Sequence, residues 1–344
     1  VVNLLHPGQI GLAPMEGAID AITRDLLTMQ EGLDWTVTEF VRVVDARLPP
    51  RVFYKHCPEL RESAVATPSG IPVHLQLLGS DPQALAANAH QAIQLGATGL
   101  DLNFGCPAKT VNRHDGGASL LRDPERVFRV VAAVADAADG TVPVTAKVRL
   151  GFADRRLALA CAQAAEAGGA RHLVVHARTR NEGYRPPAHW EWIARIRHQL
   201  SIPVIANGDI WTLKDYWKAR SLSGCEDVML GRGMLADPDL AQRIRHWQRT
   251  GEQLPETAWI RRAAILEAYA NRQQASLPDK VVVSLLKQWL NQMRARDAEA
   301  AARFAMLRRE TRLAPFLAGL MSPIPCVPQH DDPAQALSCS EISI

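Results

Sequence analysis

With 344 residues, 47% of them hydrophobic and 22% charged, the chain has the composition of a globular protein with room for one large domain and a smaller one. No apolar run approaches the ~20 residues of a membrane span. No basic segment leads into a long apolar core near Val1, so a secretory leader is not expected. The six cysteines (57, 106, 161, 225, 326 and 339) include no Cys-x-x-Cys pair, which argues against zinc and against a disulfide framework and suits a reducing cytoplasm. The net charge of +3 is unevenly spread. From Arg243 to Arg312, fourteen Lys and Arg stand against seven Asp and Glu. Such a segment suits a polyanionic partner, or more plainly a solvated helical surface.

Eight short β-rich segments recur along the chain, each followed by a helical pattern. They are predicted at Ile10 to Ala13, Thr36 to Arg42, Val73 to Leu78, and Gly99 to Asn103. The others are Val144 to Leu150, His172 to His176, Pro203 to Asn207, and Asp227 to Leu230. Their starts fall 24 to 45 residues apart, the length of one β-loop-α-loop unit. Helices are predicted between them at Pro82 to Leu95, Pro124 to Ala138 and Arg155 to Ala167, with Gly96 and Gly169 as left-handed caps. Eight β/α units in about 240 residues fit a (β/α)₈ TIM barrel. A doubly wound sheet is the alternative, but it rarely needs eight parallel strands in so even a cadence.

After Leu235 the strand signal stops, and residues 237–250 and 256–320 read as helix. Apolar residues recur at helical spacing as Ile260, Ala264, Leu266 and Tyr269, then as Val283, Leu286, Leu290 and Met293. The expected organisation is a barrel domain over 1–248, an all-α domain over 249–321, and a disordered tail over 322–344 rich in proline and small polar residues.

In a parallel barrel, chemistry sits on the loops at the C-terminal ends of the strands. The fourth predicted strand ends in Asn103 and runs into Gly105-Cys106-Pro107, which puts an amide and a thiol in that position. A small buried cysteine beside a turn is the bland alternative. The first strand ends in Pro14-Met15-Glu16, the third carries Gln76, the fifth Lys147 and Arg149, and the sixth ends in His176-Ala177-Arg178. The seventh ends in Asn207-Gly208-Asp209 and the eighth in Gly231-Arg232-Gly233. Glycines after the last two strands would let backbone N–H groups approach a phosphate, with Arg232 adding charge. Gln76, Lys147 and His176, pointing inward, suit the polar edge of a heteroaromatic cofactor, and Lys147 could offset the charge gathered by a reduced flavin. No Gly-x-Gly-x-x-Gly follows an early strand, so the mononucleotide FMN fits better than a dinucleotide.

Taken together, Ala13-Pro-Met-Glu-Gly17, Asn103-Phe-Gly-Cys-Pro-Ala-Lys109, Thr145-Ala-Lys-Val-Arg149, Val175-His-Ala-Arg-Thr179, Asn207-Gly-Asp209 and Gly231-Arg-Gly233 resemble the tRNA-dihydrouridine synthases. The resemblance covers nearly the whole chain except the tail. Thr38-Glu-Phe-Val-Arg-Val-Val-Asp45, Pro58-Glu59, Gln76-Leu-Leu-Gly79 and Lys287-Gln-Trp-Leu290 are similar to the bacterial subgroup that reduces uridine 16 of the D-loop.

The resemblance implies an FMN-bearing barrel followed by a helical RNA-binding domain. NADPH is the implied donor, in a ping-pong cycle, with hydride going to C6 of the uracil and a proton from Cys106 to C5. A thiol with an ordinary pKa of ~8.5 is protonated at neutral pH, as an acid must be. Pro14, Met15, Glu16, Gln76, Lys147, His176, Asn207, Gly208, Asp209, Gly231 and Arg232 form the expected FMN set. Asn103 would meet the uracil edge, and Arg178 a carbonyl oxygen or the ribose-phosphate.

A uridine in folded tRNA must be flipped out, at a cost of a few kcal/mol that backbone contacts have to supply. Lys280, Lys287 and Arg294, seven apart, share a helix face and are the candidates, extended by Arg261 and Arg272. Trp259, Tyr269 and Trp289 sit at apolar spacing and read as core rather than as base-stacking platforms. A monomer is expected, without metal or membrane. The rivals are an FMN barrel reducing a free pyrimidine, which needs no basic helical segment, and a non-catalytic tRNA-binding protein. A Schiff-base aldolase using Lys147 ranks third, since it has no use for the Cys106 turn.

Overall fold

The strands predicted from alternation form a closed ring in the computed structural model, which describes residues 8–62, 64–108, 111–112 and 115–323. Residues 324–344 of the expected tail lie outside them. The strands are β1 (Ile10–Leu12), β2 (Trp35–Val37), β3 (Val41–Arg42), β4 (Val73–Leu78), β5 (Leu100–Phe104), β6 (Val144–Arg149), β7 (Leu173–His176), β8 (Val204–Asn207) and β9 (Val228–Leu230). All pair in parallel in chain order. β1 joins β9 through Gly11 and Met229, and β2 joins β4 through Thr36 and Val73, closing a (β/α)₈ barrel.

The predicted second strand, Thr36 to Arg42, is broken in two. Both pieces, β2 and β3, pair with β4, and the break falls at Thr38 and Glu39. Each of these residues uses its side chain on backbone there. Thr38 Oγ1 accepts the N–H of Gln76 at 3.0 Å, and the Glu39 carboxylate accepts the N–H of Gly17.

The barrel helices are α1 (Ala21–Thr28), α2 (Pro50–His56), α3 (Pro82–Gln94), α4 (Pro124–Ala138), α5 (Ala158–Ala167), α6 (Trp190–Arg197) and α7 (Leu213–Ser223). A five-residue helix α8 (Arg232–Ala236) and α9 (Leu240–Thr250) follow. Asp20, Asp81 and Asp123 accept N–H groups in the first turns of α1, α3 and α4, and proline opens α3 and α4.

Strand alternation fills the barrel in layers. Toward the N-terminal ends of the strands, the Trp35 ring lies 5.7 Å from that of His74 and 5.5 Å from that of His172. A Cβ at Gly11 would stand 2.4 Å from Trp35, so glycine is required there. Val37, Val174, Ile205 and Met229 pack next, and the polar ends of the strands follow.

Among the described residues, 256–323 together with Leu235–Asp237 make up a second compact unit. It contains α10 (Trp259–Gln273), α11 (Asp279–Met293), α12 (Ala298–Leu307) and α13 (Leu313–Met321). Val283, Leu286, Leu290 and Met293 are buried as expected. The first stripe is corrected: Ile260 is 55% exposed and Ala264 is also exposed, while Trp259, Ala263, Leu266 and Ala270 face the core. The larger indole sets the face, one position away from Ile260. Trp259 Nε1 donates to the Leu320 carbonyl at 2.8 Å, Trp289 Nε1 to that of Leu235 at 3.0 Å, and Tyr269 meets Trp289 edge-on at 5.2 Å. These three aromatics are core.

Candidate active site

A cavity of about 540 Å³ opens at the C-terminal ends of the barrel strands, within the usual range for small-molecule sites. Behind one wall a chain of amides ends on a buried acid. Asp101 is buried, and its carboxylate accepts from Thr145 Oγ1 at 2.7 Å and from Gln76 Nε2 at 2.6 Å. Gln76 Oε1 in turn accepts from Asn103 Nδ2 at 2.8 Å. Asn103 Oδ1 then accepts the backbone N–H groups of Gly105 and Cys106, each at 2.9 Å. Arg149 Nε donates to the Gly105 carbonyl at 2.7 Å, and Asn112 Nδ2 to that of Cys106 at 3.0 Å.

The Cys106 turn is therefore fixed on several sides, with Cys106 itself 9% exposed and lining the cavity. Burial pushes its thiol pKa up, with Glu16 adding to the effect, against the lowering by the Ala108 N–H and by Arg149 and Arg42. The sulfur is held as a thiol.

The other wall is cationic. Lys147 Nζ donates to Asn207 Oδ1 at 3.0 Å, and Asn207 Nδ2 donates to the Met229 carbonyl at 2.8 Å. Burial, reinforced by the Arg149 charge, pushes the Lys147 pKa down to about 8. His176 is held well below the usual imidazole range by burial and by the cations Arg149, Lys147, Arg178 and Arg232. It is neutral, and its buried Nδ1 has no hydrogen-bond partner.

Gly208 has φ +115°, and a Cβ there would stand 3.0 Å from the His176 ring. Asp209 follows with φ +52° and pairs with two guanidinium groups, those of Arg178 and, at 2.8 Å, Arg232. Arg232 is stacked between Tyr184 at 4.5 Å and Trp211 at 4.8 Å. A Cβ at Gly231 would come within 3.3 Å of Met15 Sδ, so the backbone there lies open only because the residue is glycine.

Every residue of the expected FMN set lines this cavity. Pro14, Met15 and Glu16 come from the exit of β1, Gln76 from β4, Lys147 from β6 and His176 from β7. Asn207, Gly208 and Asp209 come from the exit of β8, and Gly231 and Arg232 from that of β9. Asn103 also lines it, but its oxygen and one N–H are committed to the Cys106 turn and to Gln76, which leaves one N–H for a ligand.

Arg178 does not reach the cavity. It is 0% exposed, its Nε donates to the Arg185 carbonyl at 2.6 Å, and its guanidinium holds Asp209. The expected contact with substrate is thus replaced by a hold on the partner of Arg232. Lys280, Lys287 and Arg294 lie on or just past α11 in the second unit, with Lys280 and Arg294 exposed and Lys287 half-buried.

The lining residues with no role assigned from the sequence include Phe40, Arg149, Tyr184 and Trp211. Tyr184 and Trp211 sit several residues past their strands, where periodicity gives no signal. An aromatic in a loop that follows a polar strand end is the clue that could have found them. Among the described residues, no group of three or more His, Cys, Asp or Glu is placed to hold a metal ion, and no helix is long and apolar enough to cross a membrane.

An orphaned neutral imidazole, a buried ammonium and a glycine cradle beside a stacked arginine fit a flat heteroaromatic ring carrying a phosphate. The dihydrouridine synthase family model matches residues 11–313. The chain belongs to the dihydrouridine synthase family.

The chain is 50% identical over 302 residues to the tRNA-dihydrouridine(16) synthase of Pseudomonas putida, covering 88% of this chain and 93% of that protein. It is 46% identical over 323 residues to the tRNA-dihydrouridine(16) synthase of Ralstonia nicotianae, covering 94% and 98%. Among solved structures, 6-hydroxypseudooxynicotine amine oxidase from Pseudomonas geniculata N1 aligns with a TM-score of 0.53 at 12% identity, over 70% of this chain and 47% of that one. At that distance the likeness is one of fold alone.

Proposed function

We propose that this protein converts uridine to 5,6-dihydrouridine in the D-loop of tRNA, at position 16, using FMN and NADPH, with Cys106 as the acid. The observation that carries the reading is a thiol kept protonated and held by Asn103 on one wall of a cavity whose other wall is shaped for an anionic cofactor. The names of the relatives support tRNA as substrate and position 16 as the site.

When bound, FMN supplies the hydride for C6 of the uracil, with electrons drawn from NADPH. Gly231, Arg232 and Gly233 would hold its phosphate, with Asp209 and Arg178 steadying Arg232. Pro14, Met15 and Glu16 border the cavity from β1. Gln76, Lys147, His176, Asn207 and Gly208 would meet the ring system. Cys106 gives the proton of its Sγ to C5 and is reprotonated from solvent. Asn103 keeps the turn in place and offers its remaining N–H to a uracil carbonyl. Lys280, Lys287 and Arg294 supply a basic helix face for the RNA backbone, which a reductase of a free pyrimidine does not need.

The test is Cys106→Ala in the purified enzyme. It should retain FMN and be reduced by NADPH as before, but lose at least ~100-fold in dihydrouridine yield on a tRNA transcript, the scale of general acid catalysis. A wild-type protein that retains no FMN once the free flavin is removed by gel filtration would overturn the proposal.

A further inference from the structure

On the catalytic face of the barrel, most acids of the loops after β5, β6 and β7 have a basic partner. Asp115 pairs with Arg126 at 2.6 Å, Asp154 with Arg156 at 2.8 Å, and Glu182 with Arg155. Asp123 caps α4 through the Glu125 N–H at 3.0 Å. Arg122 and Arg180 are left without a carboxylate among the described residues, although they belong to different loops.

Both converge on one ring. The Arg122 guanidinium carbon lies 3.6 Å from the centroid of Phe152, and that of Arg180 lies 5.2 Å from it. The Arg180 N–H donates to the Gly151 carbonyl at 2.9 Å and the Asn181 N–H to that of Phe152 at 3.0 Å, so three strand-exit loops meet at this phenylalanine. Arg180 makes a single side-chain hydrogen bond, a long one of 3.4 Å to Asn181, and its Nε has no partner. Arg122 is exposed. Stacking fixes the plane of a guanidinium while leaving edge N–H groups to face an anion.

The place of this pair points to the partner. Arg122 ends the 3₁₀ segment Gly117–Arg122 that follows the Cys106 turn, and the Ala118 N–H in that segment donates to the Cys106 carbonyl at 3.3 Å. Arg180 lies in the same loop as Tyr184, which lines the cavity. Extracting a base from a folded RNA requires that the flanking backbone be gripped near the entry point. Planar guanidinium forks suit phosphodiester oxygens.

We propose that Arg122 and Arg180, braced on Phe152, clamp the RNA phosphates that flank the nucleotide entering the cavity. This rests on tRNA being the substrate, as proposed for the cavity itself. The plainer role for the pair, knitting loops together by stacking alone, is the outcome that would defeat it.

The test uses the full-length, flavin-loaded enzyme and an unmodified tRNA transcript with uridine in its D-loop. Arg122→Glu/Arg180→Glu should weaken tRNA binding at least tenfold at 0.1 M salt. The slope of log affinity against log salt should flatten by about two, one for each phosphate that is no longer neutralised. Arg122→Lys/Arg180→Lys, which keeps the charges without the planar fork, should fall between the two. Flavin reduction by NADPH, in which RNA takes no part, reports that each variant is folded. Should the double glutamate variant fail to fold, Arg122→Glu alone, at an exposed position, carries the same test with half the change in slope. Wild-type binding of tRNA with an unchanged variant affinity and slope defeats the clamp alone. Absence of tRNA binding by the wild type defeats the tRNA reading and the clamp with it.

Discussion

Asn103 Oδ1 accepts the backbone N–H of Cys106 at 2.9 Å, so the residue near the end of β5 also sets the turn that carries the thiol. Asn103 is itself oriented by Gln76, and Gln76 by the buried Asp101. Asn103→Ala removes three hydrogen bonds at once, each worth about 1 kcal/mol net, and frees the turn rather than the cavity. Dihydrouridine formation is expected to fall by about 10- to 100-fold while FMN affinity changes little. Alkylation of Cys106 by iodoacetamide should accelerate, because a looser turn exposes the sulfur. Unchanged alkylation with unchanged turnover would show that the turn holds itself.

Arg232 is fixed by Asp209 on one side and by the rings of Tyr184 and Trp211 on its faces. Such a pre-set guanidinium loses little freedom on meeting a phosphate. Arg232→Ala should weaken FMN binding at least ~10-fold, on the scale of one charge-assisted hydrogen bond. Asp209→Asn, which leaves both arginines in place but unsteadied, should do so by less. Fluorescence titration of the apoprotein with FMN measures both, and equal affinities in all three proteins would remove Arg232 from the phosphate site.

The parts of this architecture that were legible in the sequence are those where a local rule acts alone. Val73–Leu78 and Pro124–Ala138 fall where predicted, the first on unbroken strand character and the second on an Asp-Pro helix start. The polar strand exits marked the cavity because each lies within a strand or no more than four residues past its end. Arg178 shows where that logic ends. Alternation from His176 would point it inward, but the Arg178 N–H donates to the His176 carbonyl at 2.7 Å. The chain turns there and parity is lost. Tyr184 and Trp211 reach the cavity through loop paths that no periodicity encodes.

His74 and His172 are buried against Trp35, and burial holds their pKa values at about 4 and about 3, against an ordinary 6.5. In the unfolded chain both return to 6.5. Below that pH the unfolded state takes up protons that the folded state refuses, so stability is full above 6.5 and declines toward 4 and 3. Between pH 7.5 and 5 the expected loss is about 2 kcal/mol per histidine. Urea unfolding at the two pH values measures it. His172→Gln should lower stability at both but shrink the difference between them by about 2 kcal/mol, the share of one histidine. A wild-type stability that is flat over this range would mean that the imidazoles are protonated in the fold.

Lys147 presents the opposite case, a cation whose burial favours its neutral form until an anion arrives. Its pKa stands at about 8, lowered by burial and by Arg149, and its Nζ donates to the side-chain carbonyl of Asn207 at 3.0 Å. A ligand that brings carbonyl oxygens and a phosphate into the cavity stabilises the ammonium and raises that value again. At pH 8.5, above the free pKa, most of the lysine is neutral before binding and charged after it. FMN binding should therefore take up roughly half a proton or more at pH 8.5 and almost none at pH 6.5, where the lysine is already charged. Calorimetry in two buffers of different ionisation enthalpy counts the protons directly. Lys147→Met should abolish the uptake at pH 8.5 while leaving a measurable binding heat. If wild type and variant take up the same number of protons, the ammonium does not face the cofactor and the charge-offsetting role fails.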